Sequence, residues 1–393
     1  MFENLKPQPK DMILSAMMAY RADKRPQKVD LSVGVYKDVS GNTPIIQAVK
    51  KAEAEVMAQQ NSKSYVALNG NAGFNQVMRQ LVLGDVVPDT RLASTLTPGG
   101  SGAVFLSFEI LKALNPDAVV HVPEPSWGPH HTMARHLGLK TTSYRYLDSQ
   151  TGAVDSEGMM GALAQAKSGD MVILHGCCHN PSGADLTFDD WQHVTALIQK
   201  KGLLPLVDIA YQGFANGLHE DAAGLRHLAV HVPEMLITAS CSKNFGLYRE
   251  RTGILIGLTS TANQANTLSE MMAFLNRQHF SFPPEHGAEI VTHVLNSPEL
   301  RAQWQAELDE MRVRLTGLRT AFADALRQAT NSDRFDFIAR QFGMFSLLGL
   351  RSEQMQALME EDAIYAVSSS RINIAGLSDK TIPQVAEAIA RRL

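Results

Sequence analysis

The chain has 393 residues, of which 45% are hydrophobic and 19% charged, with 36 Lys and Arg against 40 Asp and Glu. That balance excludes a disordered chain, which has too few apolar groups to offset its ordering entropy, and implies no general attraction to nucleic acid. No run approaches the roughly 18 apolar residues of a membrane span, and Met1-Phe2-Glu3-Asn4-Leu5-Lys6-Pro7 lacks the basic-then-apolar pattern of a secretory signal. Cys177, Cys178 and Cys241 are too few for a disulfide scaffold. The expectation is a cytoplasmic globular protein of two or three domains, at roughly 150 residues each.

In chain order, the first informative segment is Thr97-Pro98-Gly99-Gly100-Ser101-Gly102-Ala103, a glycine-rich turn leading into an apolar helical pattern. Successive N–H groups at a helix start hold anions, and Ser101 adds a hydroxyl. Counting a dinucleotide fingerprint from Gly100 puts Phe105 where the third glycine belongs, and no Lys-Ser or Lys-Thr follows to make a Walker loop. By itself the turn is open between an anion site and a structural bend. Ala118–Val122 predicts a strand. The segment Pro123-Glu124-Pro125-Ser126-Trp127-Gly128-Pro129-His130 follows, and its prolines and glycine place Trp127 in a loop.

Met171–His175 predicts a second strand, running into Gly176-Cys177-Cys178-His179-Asn180-Pro181-Ser182-Gly183. Cys and His are metal-ligand types, but no second paired cluster accompanies them. No metal is expected, and the two cysteines read as small core residues. Pro181 locks Asn180 in a turn, with an amide able to donate to a phenolate oxygen. Phe188–Lys200 carries Trp191, Val194 and Ile198 at helical spacing.

Leu203–Asp208 and Met235–Ala239 predict two more strands, followed by Ile209-Ala210-Tyr211 and Ser240-Cys241-Ser242-Lys243. A buried carboxylate needs a partner, which leaves Asp208 open between a helix cap, an ion pair and a functional acid. Lysine is rarely buried without a reason. Arg251 precedes a fifth strand, Gly253–Gly257. All five runs are apolar throughout, which suits strands buried on both faces of a mostly parallel, helix-covered α/β sheet. Beyond them, Glu299–Gln328 reads as one long helix. Met344–Leu347 and Ile372–Ile374 read as short strands, and Ile382–Leu393 as a last helix. A smaller α+β domain is therefore expected after the sheet domain.

Three of these features make joint sense with one cofactor. Pyridoxal phosphate needs an anion cradle, an acid that keeps its ring nitrogen protonated, and an amine for a Schiff base. Gly100, Ser101, Ser240 and Arg251 suit the first, Asp208 the second and Lys243 the third, with Trp127 available to stack on the ring.

With these residues assembled, the sequence resembles the fold-type I pyridoxal phosphate enzymes, specifically the class I aspartate and aromatic aminotransferases. Gly34-Val35-Tyr36-Lys37-Asp38, Gly99-Gly100-Ser101-Gly102, Pro125-Ser126-Trp127 and His175 through Gly183 carry the resemblance. So do Asp208-Ile209-Ala210-Tyr211-Gln212-Gly213-Phe214, Ser242-Lys243-Asn244-Phe245-Gly246-Leu247-Tyr248 and Ser370-Arg371-Ile372-Asn373. The resemblance implies a seven-stranded, mostly parallel sheet in a large domain (46–312) and a small domain built from both termini (1–45 and 313–393). It implies a homodimer with shared active sites. Lys243 resembles the Schiff-base lysine, Asp208 the partner of the ring nitrogen, and Tyr211 and Asn180 the pair bonded to the ring oxygen. Gly100, Ser101, Ser240 and Arg251, with Tyr65 from the neighbouring subunit, resemble the phosphate site. Trp127 resembles the stacking aromatic, with His130 and His175 supporting Asp208. Arg371, with Asn180, Trp127 and Gly34, resembles the grip on the substrate α-carboxylate, and Arg277 the cross-dimer grip on a second carboxylate.

Arg277 favours a dicarboxylic substrate, whereas Phe282, Phe342 and Ser182 depart from the aspartate-specific pattern, and Ala273-Phe274-Leu275-Asn276-Arg277-Gln278 with Phe280-Ser281-Phe282-Pro283-Pro284 resembles the bacterial aromatic aminotransferases more closely. The expectation is a ping-pong aminotransferase acting on aromatic amino acids or aspartate with 2-oxoglutarate. The alternatives are a strictly aspartate-specific enzyme and, beyond it, a lyase or decarboxylase that uses the same cofactor.

Overall fold

The computed structural model describes residues 1–7 and 11–393. Its strands are β1 (Val29–Asp30), β2 (Leu92–Pro98), β3 (Val119–Glu124), β4 (Lys140–Arg145), β5 (Met171–His175), β6 (Leu204–Ile209), β7 (Met235–Ser240), β8 (Thr252–Leu258), β9 (Phe345–Leu347), β10 (Ile364–Tyr365) and β11 (Arg371–Asn373). Seven of them form one sheet in the order β2-β8-β7-β6-β5-β3-β4. From β7 to β4 every pairing is parallel, while β8 runs antiparallel to both β7 and β2. The mostly parallel seven-stranded sheet implied by the resemblance is present.

The five inner strands are the five apolar runs of the sequence. Every residue of β5, β7 and β8 is buried, each Val, Leu or Ile contributing about 1.5–3 kcal/mol relative to exposure. The two edge strands carry no such run. β4 buries Tyr144 alone of its residues and turns Lys140, Thr142, Ser143 and Arg145 outward. β2 is buried although it holds Ser94, Thr95 and Thr97, because local partners satisfy each hydroxyl. Ser94 Oγ accepts from Arg79 Nη1 at 3.0 Å, Thr95 Oγ1 accepts from Asn276 Nδ2 at 2.8 Å, and Thr97 donates to Gly99 O at 3.0 Å.

Helices cover the sheet and close a core that includes Val104, Phe108, Val120, Ile173, Leu206 and Met272. The helix Phe188–Lys201 shows why its boundaries were legible: Thr187 and Asp190 form a capping box, and Gly202 ends it in the left-handed conformation. The long helix spans Pro298–Thr330. The last helix, expected to reach Leu393, ends at Ala390, where Arg392 N–H bonds back to Ile389 O in a tighter turn. No helix among the described residues is long and apolar enough to cross a membrane.

Packing divides the chain into two compact units. One comprises Pro44–Asn180 and Ala184–Arg314 and holds the seven-stranded sheet. The other comprises Met1–Thr43, Pro181–Gly183 and Leu315–Leu393. Within it β1 pairs with β10 in parallel and β9 with β11 antiparallel. There the buried Arg319 donates to the carbonyls of Ile338, Phe342, Gly343 and Phe345 and to Ser346 Oγ, fixing the approach to β9.

Candidate active site

In parallel α/β sheets ligands bind outside the carboxyl ends of the strands. Here the register pairs His175 with Asp208 and Asp208 with Thr238 across β5, β6 and β7, so the three side chains leave one face of the sheet. A cavity opens beside them. Gly100, Ser101, Trp127, Asn180, Asp208, Tyr211, Ser240, Lys243 and Arg251 all line it, as does His175. The structure thus brings together nine of the residues singled out for the cofactor.

Asp208 is held from two sides. Thr238 Oγ1 donates to its Oδ1 at 2.9 Å, and His130 Nε2 lies 3.2 Å from its Oδ2. Burial acts to raise its pKa, but these bonds and the neighbouring imidazoles outweigh it and hold the carboxyl below its usual range. On its other side the His130 ring meets Ser126, with Nδ1 2.9 Å from Ser126 Oγ. Ser126 Oγ also lies 3.4 Å from His175 Nε2. Burial lowers His175 to about 3, so it stays neutral. The rings of His175, His179 and Tyr146 continue this column into the interior, with centroids 4.2 and 4.1 Å apart.

The anion-binding side is built from backbone and small side chains. Gly100 and Ser101 open the helix Gly99–Leu114, whose first N–H groups lack intrahelical acceptors. Arg251 sits at φ 53° and its carbonyl accepts from Gly99 N at 2.8 Å. A Cβ at Gly99 would stand 2.5 Å from Arg251 Nη2, and one at Gly100 would stand 3.2 Å from Ser240 Cβ. Any larger side chain would fill this cradle. An anion cradle, an ionised acid and an amine lining one cavity form a donor set that fits pyridoxal phosphate.

Lys243 stands in the turn after β7, its Nζ 4.8 Å from the Tyr211 ring centroid. Burial pulls its pKa down to about 8; Asp208 opposes the shift and Arg251 adds to it. On the far loop, Asp185 accepts from the N–H groups of Cys178 and His179 at 2.7 and 2.8 Å, holding Cys178 at φ 51° just before Asn180. Non-glycine residues in that region cost about 1–3 kcal/mol each and persist where the surroundings dictate them.

Ala210, Ser242 and Cys177 also line the cavity, and sequence reasoning passed over them as site residues. Cys177 is buried like a core residue, and burial pushes its thiol well up. Its sulfur, that of Cys178 and an Asp221 oxygen lie within 4.8 Å of one another, yet protonated thiols are poor metal ligands. Thr238 was detectable only through the register opposite Asp208.

Four expected site residues lie elsewhere. Tyr65 and Arg277 do not line this cavity. They meet at an exposed patch, where Tyr65 stacks on Phe282 with centroids 4.6 Å apart and Arg277 Cζ lies 6.0 Å from the same ring. Gly34 and Arg371 belong to the unit that contains both termini. There Arg371 lies 4.4 Å over the Phe345 ring and donates from Nη2 to Ser32 O at 3.0 Å, and a Cβ at Gly34 would meet Phe345 Cζ at 3.0 Å.

The profile of the family described as aminotransferase class I and II matches residues 26–389. The aromatic-amino-acid aminotransferase of Paracoccus denitrificans is 51% identical over 389 residues, covering 99% of each chain. The aspartate aminotransferase of Salmonella typhi is 40% identical over 392 residues, again covering 99% of each. A solved aromatic-amino-acid aminotransferase from Burkholderia pseudomallei, covalently bound to pyridoxal phosphate, superposes with a TM-score of 0.97 at 38% identity, over 100% of this chain and 99% of that one. Fold, cavity and kinship agree: the chain belongs to the class I and II aminotransferases, the pyridoxal phosphate-dependent family that its motifs resemble.

Proposed function

We propose that this aminotransferase moves the amino group between aromatic amino acids or aspartate and 2-oxoglutarate by a ping-pong mechanism. The observation that carries the reading is the single cavity lined by Lys243, Asp208, Tyr211 and the glycine–arginine cradle. When bound, pyridoxal phosphate supplies the electron sink that takes up the pair left behind as the substrate Cα proton departs. Lys243 moves that proton. Burial, which pulls its pKa down to about 8, leaves more of the amine unprotonated near neutral pH than in an unperturbed lysine. Asp208, kept ionised by Thr238 and His130, holds the proton on the ring nitrogen. Tyr211 and Asn180 would donate to the ring oxygen, and Trp127 would stack on the ring. Gly100, Ser101, Ser240 and Arg251 bind the phosphate.

In the same reading the chain is a cytoplasmic homodimer with a large domain (46–312) and a small domain (1–45 and 313–393). Tyr65 and Arg277 serve the partner's site, Tyr65 at the phosphate and Arg277 at a second carboxylate. Gly34 and Arg371 serve the α-carboxylate, where a planar fork fixes orientation as lysine cannot. The stack of Tyr65 on Phe282 beside Arg277 supports a mixed specificity, since it sets an aromatic face next to the cation. A panel of amino donors against 2-oxoglutarate tests this. The expected outcome is kcat/KM for phenylalanine within about tenfold of that for aspartate. A phenylalanine deficit of several orders of magnitude refutes mixed use and leaves strict aspartate specificity.

A further inference from the structure

Asp221 lies outside the cavity lining, in the turn Glu220–Ala222, and is 5% exposed. Its two carboxylate oxygens accept four backbone N–H groups. Oδ2 accepts from Gly213 at 2.8 Å and Ala215 at 3.0 Å, and Oδ1 from Asn216 at 2.7 Å and Gly217 at 3.2 Å. All four amides belong to the loop that follows β6, which ends at Ile209, two residues before Tyr211.

The loop is over-determined at that end. Phe214 N donates to Tyr211 O at 3.0 Å, closing a turn whose third residue, Gly213, takes φ +99°, the sign a type II turn requires there. Gln212 Nε2 donates to Leu81 O at 2.9 Å and Leu218 O at 2.8 Å. A buried carboxylate is costly to place, and neutral groups can close a surface turn. Charge-assisted bonds to four amides of one loop fix a backbone more tightly than neutral ones. What that rigidity serves is two residues upstream: the Tyr211 ring, itself 5% exposed, at 4.8 Å from Lys243 Nζ.

We infer that Asp221 is a positioning residue that holds the Tyr211 phenol in register with Lys243 through the Gly213–Gly217 loop. The inference rests on the role proposed for Tyr211 above. A cofactor joined to the Lys243 nitrogen would change its visible absorption with the proton held there, and a phenol donating to the ring oxygen would lower that midpoint. Tyr211→Phe is expected to raise the midpoint by about 1–2 in pKa. Asp221→Asn, which turns an NH₂ towards two of the four amides, raises it by less. The double variant raises it no further than Tyr211→Phe alone, because the two act through one bond. With Asp221→Asn, kcat falls about tenfold or more while KM for amino donors stays within about threefold.

A midpoint unchanged by Asp221→Asn, or a rise that adds in full to that of Tyr211→Phe, overturns the inference alone. A midpoint unmoved by Tyr211→Phe removes the Tyr211 assignment and the inference with it. Asp221→Glu keeps the charge if the Asn variant fails to fold, and it is expected to give a partial rise; no rise overturns the inference. Hydrogen exchange on the cofactor-free wild-type chain needs no variant. The amides of Gly213, Ala215, Asn216 and Gly217 are expected to be protected by about 100-fold or more, and free exchange at all four sinks the clamp.

Discussion

Arg371 and Arg277 are assigned to two carboxylates of the same substrate class, yet they sit in opposite surroundings. Arg371 is 7% exposed, stands on β11 in register with Leu347 of β9, and lies over the Phe345 ring. The carbonyl of Phe345 is itself held by Arg319 Nη2 at 2.6 Å. Arg277 is exposed near the end of the helix Ala262–His279, with the Phe282 ring 6.0 Å away. A guanidinium held by packing has already lost its rotamer freedom, whereas an exposed one keeps about 2 kcal/mol of it. Every amino acid carries an α-carboxylate, so its receptor gains from rigidity. Only some carry a second one, so its receptor gains from being able to leave.

That contrast presupposes one reaction centre serving both donor classes, and Lys243→Ala is the harshest way to break it. Steady-state assays should show amino transfer falling by about 10⁵-fold or more for aspartate and phenylalanine alike. A residual rate within about 100-fold of the parent would mean that another group moves the proton. The arginines sharpen the comparison at a lower level. Arg371→Lys should lower kcat/KM by about 100-fold for both donors. Arg277→Ala should cost aspartate a similar factor and leave phenylalanine within about threefold. Equal losses for both donors on changing Arg277 would erase the distinction.

A smaller effect is expected on stability. The Lys243 pKa is about 8 in the folded chain, lowered by burial, against about 10.4 unfolded. Between those values the unfolded chain keeps a proton that the folded one has released, so this group makes the cofactor-free protein more stable as pH rises from about 8 to 10.4. Denaturant melts of wild type and Lys243→Met across that window should differ in slope, the variant lacking this increment. Parallel curves would place the amine in water.

How much of this was legible beforehand follows the same division between inside and edge. The inner strands announced themselves because burial on both faces demands unbroken apolar runs, and the residues just past their ends, Asp208 and Lys243 among them, were findable for that reason. Edge strands β2 and β4 were invisible: one satisfies its hydroxyls locally and the other buries Tyr144 alone of its residues. In the site, residues with distinctive chemistry were readable, while Thr238, Ser126 and Asp221 were not. Thr238 matters through register across two strands, Ser126 through a bond to an imidazole, and Asp221 through four amides of a loop. None of those relations has a signature in composition or spacing.

The mildest test concerns what Arg277 rests on when no second carboxylate is present. In the structure its guanidinium faces Phe282, which Tyr65 backs at an interplanar angle of 15°. An exposed cation over an aromatic face gains about 0.5–1 kcal/mol. On the role proposed for Arg277, that gain favours an arginine turned aside for aromatic donors over one gripping aspartate. Phe282→Ala should therefore lower the ratio of kcat/KM for phenylalanine to that for aspartate by about two- to fivefold, with the aspartate value itself nearly constant. A ratio that stays put would show that the arginine moves without the ring. A fall in the aspartate value alone would mean that Phe282 steadies the gripping arrangement instead, which reverses the mechanism by which one site accepts two kinds of side chain.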